Sequence, residues 1–442
     1  MQDKKDFTIE GQRIPSVALD ISRRLTENGY EAFIVGGALR DSLLGYQAKD
    51  WDVATNARPD RIHGLFPDMT RFDLKHGTVT LVFKKRHFEV TTYRGTRGYG
   101  ASIEEDLSHR DFTLNAMAYD ITSKRIIDPF GGKKDIVKKV VRAVLNPKER
   151  YHEDPLRMMR AIRFSLQFGY TIEPETLMAI SPIVQAIDTV AEERIREELL
   201  AILMVSRPSA GFNLMRKTGL LSRILPKLLE GYRKRQNNYH KYTIYRHTME
   251  TVDSIEREPI LRLSALFHDI AKPRVRKKLK DRWRFFGHEK ASAGLTREIM
   301  LRLRFSKEEI DRVTHLVSHH MFDYKKGLTD KAIRRFIKRV GTDHIDDLMK
   351  LREADDLAHG WGGTGEDQIE EFRNRINAQI KKSHPFTISD LAVNGNDIMN
   401  VLGIESGPRV GKILNQLLGV VIEEPEHNKR DKLIEVLKHM RA

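Results

Sequence analysis

Two carboxylates stand two residues apart in the string KDWDV at residues 49–53. Alternate side chains of a β-strand share one face, so in a strand Asp50 and Asp52 would project together. Carboxylates at that spacing suit a pair of Mg²⁺ ions that bridge a transferred phosphoryl group. Glu89, on a later alternating segment, is a candidate third carboxylate. The pattern predicts metal-dependent phosphoryl transfer, and a charged strand end is the alternative.

A glycine pair precedes this string. Gly36 and Gly37 follow the apolar run FIV at residues 33–35 and come shortly before Arg40. Backbone N–H groups at the start of a helix attract anions, and an arginine beside them adds a full positive charge. We therefore predict that this turn, together with Arg40, forms a seat for a triphosphate.

The string EDPLR at residues 153–157 holds an acceptor and a donor three positions apart. If Asp154 and Arg157 occupy one helix, they share one face. Aspartate accepts hydrogen bonds and arginine donates them. Cytosine and adenine offer an amine beside a ring-nitrogen acceptor, whereas uracil and guanine offer a carbonyl beside a ring N–H. The pair thus predicts selection of CTP and ATP against UTP and GTP, because mismatched polar groups would stay unpaired; an ordinary surface ion pair is the alternative.

Histidines and acidic residues recur in the middle of the chain, in the order His247, His268-Asp269, His288, His319-His320 and Asp355-Asp356. Imidazoles and carboxylates are the usual ligands of a hydrolytic divalent metal in a chain without cysteine. The predicted ligand set is His247, His268, Asp269, His288, His319 and Asp356. The alternative is a helical domain whose histidines serve packing or RNA contact.

The composition limits the class of protein. The 442 residues carry a formal net charge of +15, which favours a polyanionic partner. The lack of cysteine excludes disulfides and thiolate metal sites and fits a reducing cytoplasm. No apolar run has the length of a membrane span, and the N-terminus lacks the apolar stretch of a signal peptide. We therefore predict a cytoplasmic protein without a membrane partner.

Strands and helices must position these residues. Residues 77–83 and 87–93 alternate with period two, as paired strands do. From Asp154 onward the apolar spacing is helical almost to the end, and the basic stretch at residues 231–239 predicts a linker. The predicted architecture is a small α/β head followed by an all-helical body.

The string GGALRDSLLGYQAKDWDVAT resembles the first motif of the class II nucleotidyltransferases, which are the tRNA CCA-adding enzymes and bacterial poly(A) polymerases. Later motifs of that family are resembled, in the same order, by LKHGTVTLVF, EEDLSHRDFTLNAMAYD, IDPFGGKKDI, EDPLRMMRAIRFSLQFGYTIEPET and ERIREEL. The resemblance implies an α+β fold: a nucleotidyltransferase head with a mixed sheet and helices, then an all-α neck, body and tail. The expected boundaries are 1–145 (head), 146–230 (neck), 231–363 (body) and 364–442 (tail).

The resemblance also implies roles for individual residues. The second motif, which contacts the sugar and phosphates of the nucleotide, supplies Arg110, Asp111 and Asn115. Arg160 and Arg163 are expected to support the triphosphate or the base-reading residues. One position departs from the family, because His109 stands where a second arginine is usual. The last motif, which braces the neck, supplies Arg194 and Glu198.

LFHDIAKP at residues 266–273 and GHEK at residues 287–290 resemble the HD phosphohydrolase superfamily. Some CCA-adding enzymes carry such a domain and remove 2′,3′-cyclic or monoester phosphates from RNA ends. The resemblance implies Mn, Ni, Mg or Fe as the divalent metal. In the tail, Arg409 and Lys412 follow a Gly-Pro turn and are candidates for holding an RNA phosphate, with a plain helical connection as the alternative.

The segment between the TTYR strand and the EEDL motif spans only residues 95–103. In full CCA-adding relatives this segment is a long, flexible loop that switches the base-reading residues from C to A. Its shortness predicts the CC-adding subtype, which transfers CMP from CTP to the tRNA 3′ end and releases pyrophosphate. The alternatives are full CCA addition, which also uses ATP, A addition or polyadenylation, HD hydrolysis as the main activity, and a non-catalytic tRNA-binding protein. The sequence leaves the oligomeric state open.

Overall fold

The computed structural model describes residues 8–9, 12–48, 50–73, 77–84, 86–96, 98–237, 240–280, 282–324, 327–360, 366–382 and 385–440. The chain forms two compact units, Met1–Ile224 and Leu225–Ala442. The finer division into head, neck, body and tail stays a prediction, and the boundary expected at residue 363 lies outside the described residues.

The first unit is built around a mixed sheet. Its strands are β1 (Thr8–Ile9), β2 (Gln12–Arg13), β3 (Ala32–Val35), β4 (Asp52–Thr55), β5 (Thr70–Asp73), β6 (Thr78–Phe83), β7 (Arg86–Thr92), β8 (Arg94–Gly95), β9 (Gly98–Tyr99), β10 (Ala118–Asp120), β11 (Arg125–Ile127), β12 (Val140–Val141) and β13 (Thr171–Ile172). Seven of these form the sheet, in the order β11-β10-β3-β4-β7-β6-β5. β4 and β7 are parallel, and the predicted pairing of the two alternating segments is confirmed in β6 and β7, which run antiparallel.

Helices flank the sheet and continue beyond it. They are α1 (Ser16–Glu27), α2 (Gly37–Leu43), α3 (Pro59–Leu65), α4 (Ile103–Ser108), α5 (Gly132–Lys138), α6 (Pro147–Glu153), α7 (Arg157–Phe168), α8 (Pro174–Met178), α9 (Ile180–Ile183), α10 (Glu192–Leu203), α11 (Pro208–Thr218) and α12 (Leu220–Ile224). α10 and α11 pack against α7. The sheet has a core on each face, because neighbours such as Phe33 and Ile34 point to opposite sides.

In its described residues, the second unit is helical apart from one hairpin. Its elements are α13 (Pro226–Leu229), α14 (Ile244–Ser254), α15 (Pro259–Phe267), α16 (Lys272–Val275), β14 (Lys277–Leu279), β15 (Arg282–Arg284), α17 (His288–Arg302), α18 (Lys307–His319), α19 (Asp330–Val340), α20 (Ile345–Leu357), α21 (Glu366–Lys381), α22 (Gly395–Leu402), α23 (Pro408–Glu423) and α24 (Arg430–His439). The interruption predicted before Pro408 is confirmed, since proline begins α23 where no backbone N–H is needed. No described helix is long and apolar enough to cross a bilayer. The predicted α+β fold class is confirmed.

Candidate active site

β4 and β7 bring two predicted catalytic carboxylates side by side. Val53 of β4 lies opposite Val90 of parallel β7, so Asp52 and Glu89, which precede them, are neighbours on one face. Burial raises the pKa of Asp52 to about 6, and the charge of Glu89 adds to the rise. Two carboxylates that repel each other in this way are a donor set that fits a divalent cation.

Asp50 lies outside the strand that was expected to carry it. β4 begins at Asp52, whose partner Val35 is the last residue of β3. The chain then leaves the sheet at Gly36, so β3 does not extend to a position opposite Asp50. Asp50 is exposed, yet its charge raises the pKa of Asp52. The expectation that one strand carries both Asp50 and Asp52 is therefore wrong, although their charges still interact.

Gly36 allows a close approach of the backbone to Asp52. Its φ of 74° is rarely adopted by residues with a side chain, and an added Cβ would lie 3.0 Å from Oδ2 of Asp52. Gly37 follows as the first residue of α2. The glycine turn predicted from the sequence is therefore present and lies against the carboxylate.

Arg40 begins a buried chain of hydrogen bonds. Its Nη1 donates to Oδ1 of Asn115 at 2.7 Å, and Nδ2 of Asn115 donates to Oδ1 of Asp111 at 2.9 Å. Oδ2 of Asp111 accepts from Arg160, from Nε at 2.9 Å and from Nη2 at 2.6 Å. Burial alone would raise the pKa of Asp111, but Arg160 and Asn115 outweigh it and hold this pKa well below its usual range. The four side chains thus fix one another's orientation.

Glu198 extends this chain to another arginine. Its Oε2 accepts from Nε of Arg163 at 2.6 Å, and its Oε1 lies 3.5 Å from Nη1 of Arg160. The guanidinium of Arg163 also lies 4.1 Å from the ring centre of Phe164. The three charged side chains connect α10 to α7.

Asp154 and Arg157 do not share a helix, so that expectation is wrong. α6 ends at Glu153, and Asp154 is extended, at φ −145° and ψ 99°. The ring of Pro155 disfavours the helical conformation for the residue before it. α7 begins only at Arg157. Both side chains nevertheless line one cavity, so they lie close together as predicted, although no single helix carries both.

Both of these side chains already have partners. Oδ1 and Oδ2 of Asp154 accept from Arg194 at 3.2 and 2.8 Å. Arg157 donates from Nη1 to Glu153 at 2.9 Å and from Nη2 to the backbone carbonyl of His109 at 2.8 Å. A backbone carbonyl is present whatever the side chain. The departure from the family at His109 therefore leaves this contact to Arg157 intact.

Sequence reasoning missed Arg94. Its backbone N–H donates to Oδ1 of Asp106 at 3.1 Å, and Oδ2 of the same carboxylate accepts from Nε of Arg110 at 3.0 Å. Arg94 and Arg110 both counteract the rise in the pKa of Asp52. The available signal was the position of Arg94, directly after the strand that carries Glu89.

These elements enclose a cavity of about 380 Å³, a size typical of small-ligand sites. Arginines outnumber aspartates among its lining residues, which suits a polyphosphate. The lining is formed by Gly36, Gly37, Arg40, Asp52, Arg94, Arg110, Asp111, Asn115, Asp154, Arg157, Arg160, Arg163 and Phe164. Asp50 and Glu89 are not among these lining residues.

The short segment at residues 95–103 is tied to the helix that follows it. β8 and β9 pair within it. Oε1 of Glu105 accepts from the backbone N–H of Thr96 at 3.4 Å, and Oε2 accepts from that of Ala101 at 2.8 Å. Arg97 lies outside the described residues. Both ends of the described part of this segment are therefore anchored by one side chain.

In the second unit, four imidazoles meet in two pairs. Nε2 of His268 lies 3.3 Å from Nε2 of His247, and Nε2 of His288 lies 3.2 Å from Nε2 of His320. The Nδ1 of each ring lies 2.7 to 3.1 Å from a backbone carbonyl oxygen, which only accepts. Each Nδ1 is therefore placed to donate to a carbonyl, which leaves Nε2 as the nitrogen that would bind a metal.

Two carboxylates complete what we call the His/Asp cluster, which consists of His247, His268, Asp269, His288, His320 and Asp355. Oδ1 of Asp269 lies 3.3 Å from Nε2 of His288, and its Oδ2 lies 3.2 Å from Nε2 of His268. Both oxygens are buried, and Oδ2 also lies 2.5 Å from Nζ of Lys272. Oδ1 of Asp355 lies 2.9 Å from Nε2 of His247. This convergence of lone pairs and negative oxygens fits divalent cations in two groups that share Asp269.

His319 was predicted as a ligand and is replaced by its neighbour. Its Nδ1 lies 2.9 Å from the carbonyl of His315 and 2.8 Å from Oγ of Ser318. Successive helical residues are rotated by about 100°, so one of two adjacent histidines faces inward. His320, at the end of α18, is the one that enters the cluster.

The choice between the two acids on α20 was also wrong by one position. Asp355 is buried in the cluster, whereas Asp356 accepts from Tyr324 at 2.7 Å and pairs with Arg352 at 2.9 Å. Asp356 instead forms a third acidic group with Asp355 and His359 at the edge of the cluster. The packing of α20 decides which acid turns inward.

Three known sequence families match parts of the chain. The poly A polymerase head domain matches residues 32–142, and a probable RNA and SrmB-binding site of polymerase A matches residues 169–231. A putative second domain of tRNA nucleotidyltransferase matches residues 283–437. Together these matches extend over both units.

Relatives that align over most of the chain are tRNA nucleotidyltransferases and CCA-adding enzymes. A CCA-adding enzyme of Geobacillus sp. (strain WCH70) is 32% identical over 434 residues and 96% of each chain. An A-adding tRNA nucleotidyltransferase of Deinococcus radiodurans is 31% identical, over 87% of this chain and 90% of the relative. The crystal structure of a Bacillus stearothermophilus CCA-adding enzyme in complex with CTP is 26% identical, with a TM-score of 0.70 over 96% of each chain. The chain therefore belongs to the class II tRNA nucleotidyltransferase family, which includes the CCA-adding enzymes.

Proposed function

We propose that this nucleotidyltransferase transfers CMP from CTP to the 3′ end of tRNA, releases pyrophosphate and stops after two C residues. The observation that carries the proposal is the cavity of the first unit, where Asp52 and the base-reading candidates Asp154 and Arg157 share one space. The same chemistry with ATP added, as in the relatives named CCA-adding enzymes, is the main alternative.

Asp50, Asp52 and Glu89 are the groups that would hold Mg²⁺. Burial and the charges of Glu89 and Asp50 raise the pKa of Asp52, and a bound cation would offset both effects. When bound, the ions supply Lewis-acid stabilisation of the transferred phosphoryl group. The side chains of Arg40, Arg160 and other cavity arginines neutralise the triphosphate, and the tRNA 3′-hydroxyl attacks the α-phosphorus while pyrophosphate leaves.

Asp154 and Arg157 are the proposed readers of the base. A carboxylate offers about four acceptor sites and a guanidinium five donors. Asp154 and Arg157 therefore each keep unused hydrogen-bonding positions besides those that their present partners occupy. Cytosine can then donate to Asp154 and accept from Arg157, whereas uracil would face both with like groups. This arrangement supports discrimination in favour of CTP.

The anchored segment at residues 95–103 supports CC addition. Reorientation of the base readers for a purine requires movement, and here Glu105 ties both ends of a short segment to α4. The test offers single nucleotides to tRNA transcripts that end at the discriminator base, at C or at CC. Two C residues and no A are expected. Incorporation of A on the CC-ended transcript would overturn the CC subtype and leave the nucleotidyltransferase.

We propose a second activity, metal-dependent removal of phosphate from RNA ends, for the His/Asp cluster. Its support is the donor set: four Nε2 atoms and the two buried oxygens of Asp269 converge, and the Nδ1 of each imidazole is held by a backbone carbonyl. When bound, Mn, Ni, Mg or Fe would activate water for attack on phosphorus. Lys272, whose Nζ lies 2.5 Å from Oδ2 of Asp269, is placed to balance the charge.

The two activities can be separated. Asp269→Asn is expected to abolish phosphate release from RNA that ends in a 2′,3′-cyclic phosphate, while CMP transfer continues. Asp50→Ala is expected to abolish CMP transfer, while phosphate release continues. His319→Gln is the matched control, because that imidazole lies beside the cluster without entering it. Loss of both activities in either single variant would contradict two independent sites.

Contact with the tRNA body is proposed for the tail. Arg409 and Lys412 are exposed one turn apart at the start of α23. Each cation that neutralises a phosphate contributes to salt-dependent affinity. The double variant Arg409→Gln/Lys412→Gln should weaken tRNA binding and flatten its salt dependence in a filter-binding assay, and an unchanged salt dependence would exclude this contact.

A further inference from the structure

A short hairpin in the second unit carries a concentration of positive charge. β14 and β15 pair antiparallel, with Lys277 opposite Arg284 and Leu279 opposite Arg282. The exposed cations of this hairpin are Lys277, Lys278, Lys280, Arg282 and Arg284. Within the described part of the chain, none of these five has a carboxylate at ion-pair distance; Asp281 lies outside that part. We call residues 276–286 the cationic hairpin.

Other surface arginines of the same unit are neutralised by carboxylates. Arg274, just before the hairpin, pairs with Glu230 at 2.7 Å. Arg297 pairs with Asp311 at 2.7 Å. The hairpin therefore differs from its surroundings in leaving its charge to an external anion.

Aromatic rings lie on the same hairpin, where the register places Trp283 beside Lys278, on the face opposite Lys277, Arg282 and Arg284. The guanidinium of Arg276 lies 3.4 Å from the ring centre of Trp283, and the side chain of Phe286 is 69% exposed. A cationic surface with accessible aromatic rings is the combination that binds single-stranded nucleic acid, because cations follow the phosphates and rings stack on the bases. An acidic protein surface would use the charges but give no role to the rings.

Both ends of the hairpin are connected to the His/Asp cluster. Its first strand follows α16, which begins at Lys272, and Lys272 contacts Asp269. Its second strand leads through Phe285, whose carbonyl accepts from Nδ1 of His288 at 2.8 Å. Nζ of Lys272 also lies 5.6 Å from the ring centre of Phe285. A strand of RNA bound along the hairpin would therefore end beside the cluster.

We infer that the cationic hairpin binds the single-stranded 3′ end of RNA and leads its terminal phosphate to the His/Asp cluster. The delivery of the phosphate rests on the hydrolytic activity proposed above, whereas RNA binding by the hairpin does not depend on it.

The test compares two full-length triple variants that lose the same charge. Lys277→Gln/Arg282→Gln/Arg284→Gln neutralises one face of the hairpin. Lys133→Gln/Lys134→Gln/Lys138→Gln neutralises three exposed lysines on α5 of the first unit. The probe is a 5′-fluorescein oligouridylate with a 3′-hydroxyl, and its Kd is measured by anisotropy over a series of salt concentrations. A 4-thiouridine version of the probe is crosslinked and the modified peptide identified.

The hairpin variant is expected to bind roughly tenfold more weakly, with a salt slope lower by about two, since each lost contact to a single strand contributes about 0.7. The crosslink should map to the peptide that contains Trp283 and disappear in this variant. A Kd and slope equal to those of the lysine control, with no crosslink on the hairpin, overturn the inference. Asp269→Asn should retain RNA affinity, so failure of hydrolysis and failure of hairpin binding are distinguishable.

Discussion

The cavity of the first unit and the His/Asp cluster differ in the kind of ligand that their side chains can hold. In the cavity, arginines outnumber the acids with which they pair, as Arg160 pairs with Asp111 and Arg194 with Asp154. In the cluster, four Nε2 atoms and two buried carboxylates converge, although Lys272 contacts Asp269 and Arg352 contacts Asp355. The cavity therefore suits an anion, whereas the cluster suits a cation.

The strongest test of this comparison removes a carboxylate that the cavity does not neutralise. Asp52→Asn should lower CMP transfer by roughly a thousandfold or more, because metal binding and charge stabilisation supply several kcal/mol to such reactions. Primer extension on tRNA measures the effect. Asp60→Asn, which changes an exposed acid of the same unit, is the control and should stay near wild type.

Breaking a neutralised pair should instead reduce stability. Asp111→Asn leaves Arg160 with a weaker partner, and we expect a loss of about 3 kcal/mol in the free energy of unfolding. The pKa of Asp111 is lowered in the folded state. Its stabilisation is therefore present above the usual aspartate pKa and is lost as the pH falls below about 4. Denaturant titrations of the wild type and of Asp111→Asn at neutral and acid pH measure the loss of stability and its pH dependence. An equal loss of stability at acid pH in the two proteins would contradict the prediction.

Metal removal should lower thermal stability strongly only in the second unit, which holds the His/Asp cluster. A metal held at a hundred times its Kd stabilises the folded state by about 2.7 kcal/mol, so chelation should lower the Tm of the unfolding transition that includes the second unit. His319→Gln should keep this metal-dependent shift. In Asp269→Asn the shift should vanish, and its persistence there would place the metal elsewhere.

The smallest effect is expected at the exposed pair in the cavity. Arg194→Gln frees the carboxylate of Asp154, and because exposed ion pairs contribute only about 0.2 to 1 kcal/mol, the KM for CTP should rise by roughly two- to fivefold with little change in stability. Arg196→Gln, which removes an ion pair with Glu197 on the same helix, is the control. An equal change in both variants would show that Arg194 does not position Asp154.

Local patterns identified much of this protein. Alternation in β6 and β7 located Glu89, because strand periodicity needs only the chain itself. The order of motifs predicted the family, and the order of the histidines, with the resemblance to the HD superfamily, predicted four members of the cluster: His247, His268, Asp269 and His288. The break at Asp154 was also readable, since Pro155 follows it. The predicted placement of Asp154 and Arg157 nevertheless assumed one continuous helix through this proline.

What the sequence determined by itself was therefore the set of chemical groups and the elements that carry them. Tertiary structure decided which of two adjacent residues faces inward, as with His320 instead of His319 and Asp355 instead of Asp356. It also decided the partners of Asp154, which lie far along the chain. Rotation between neighbouring helical residues makes such choices depend on the packing of the whole helix, and this packing is set by contacts that no local pattern contains.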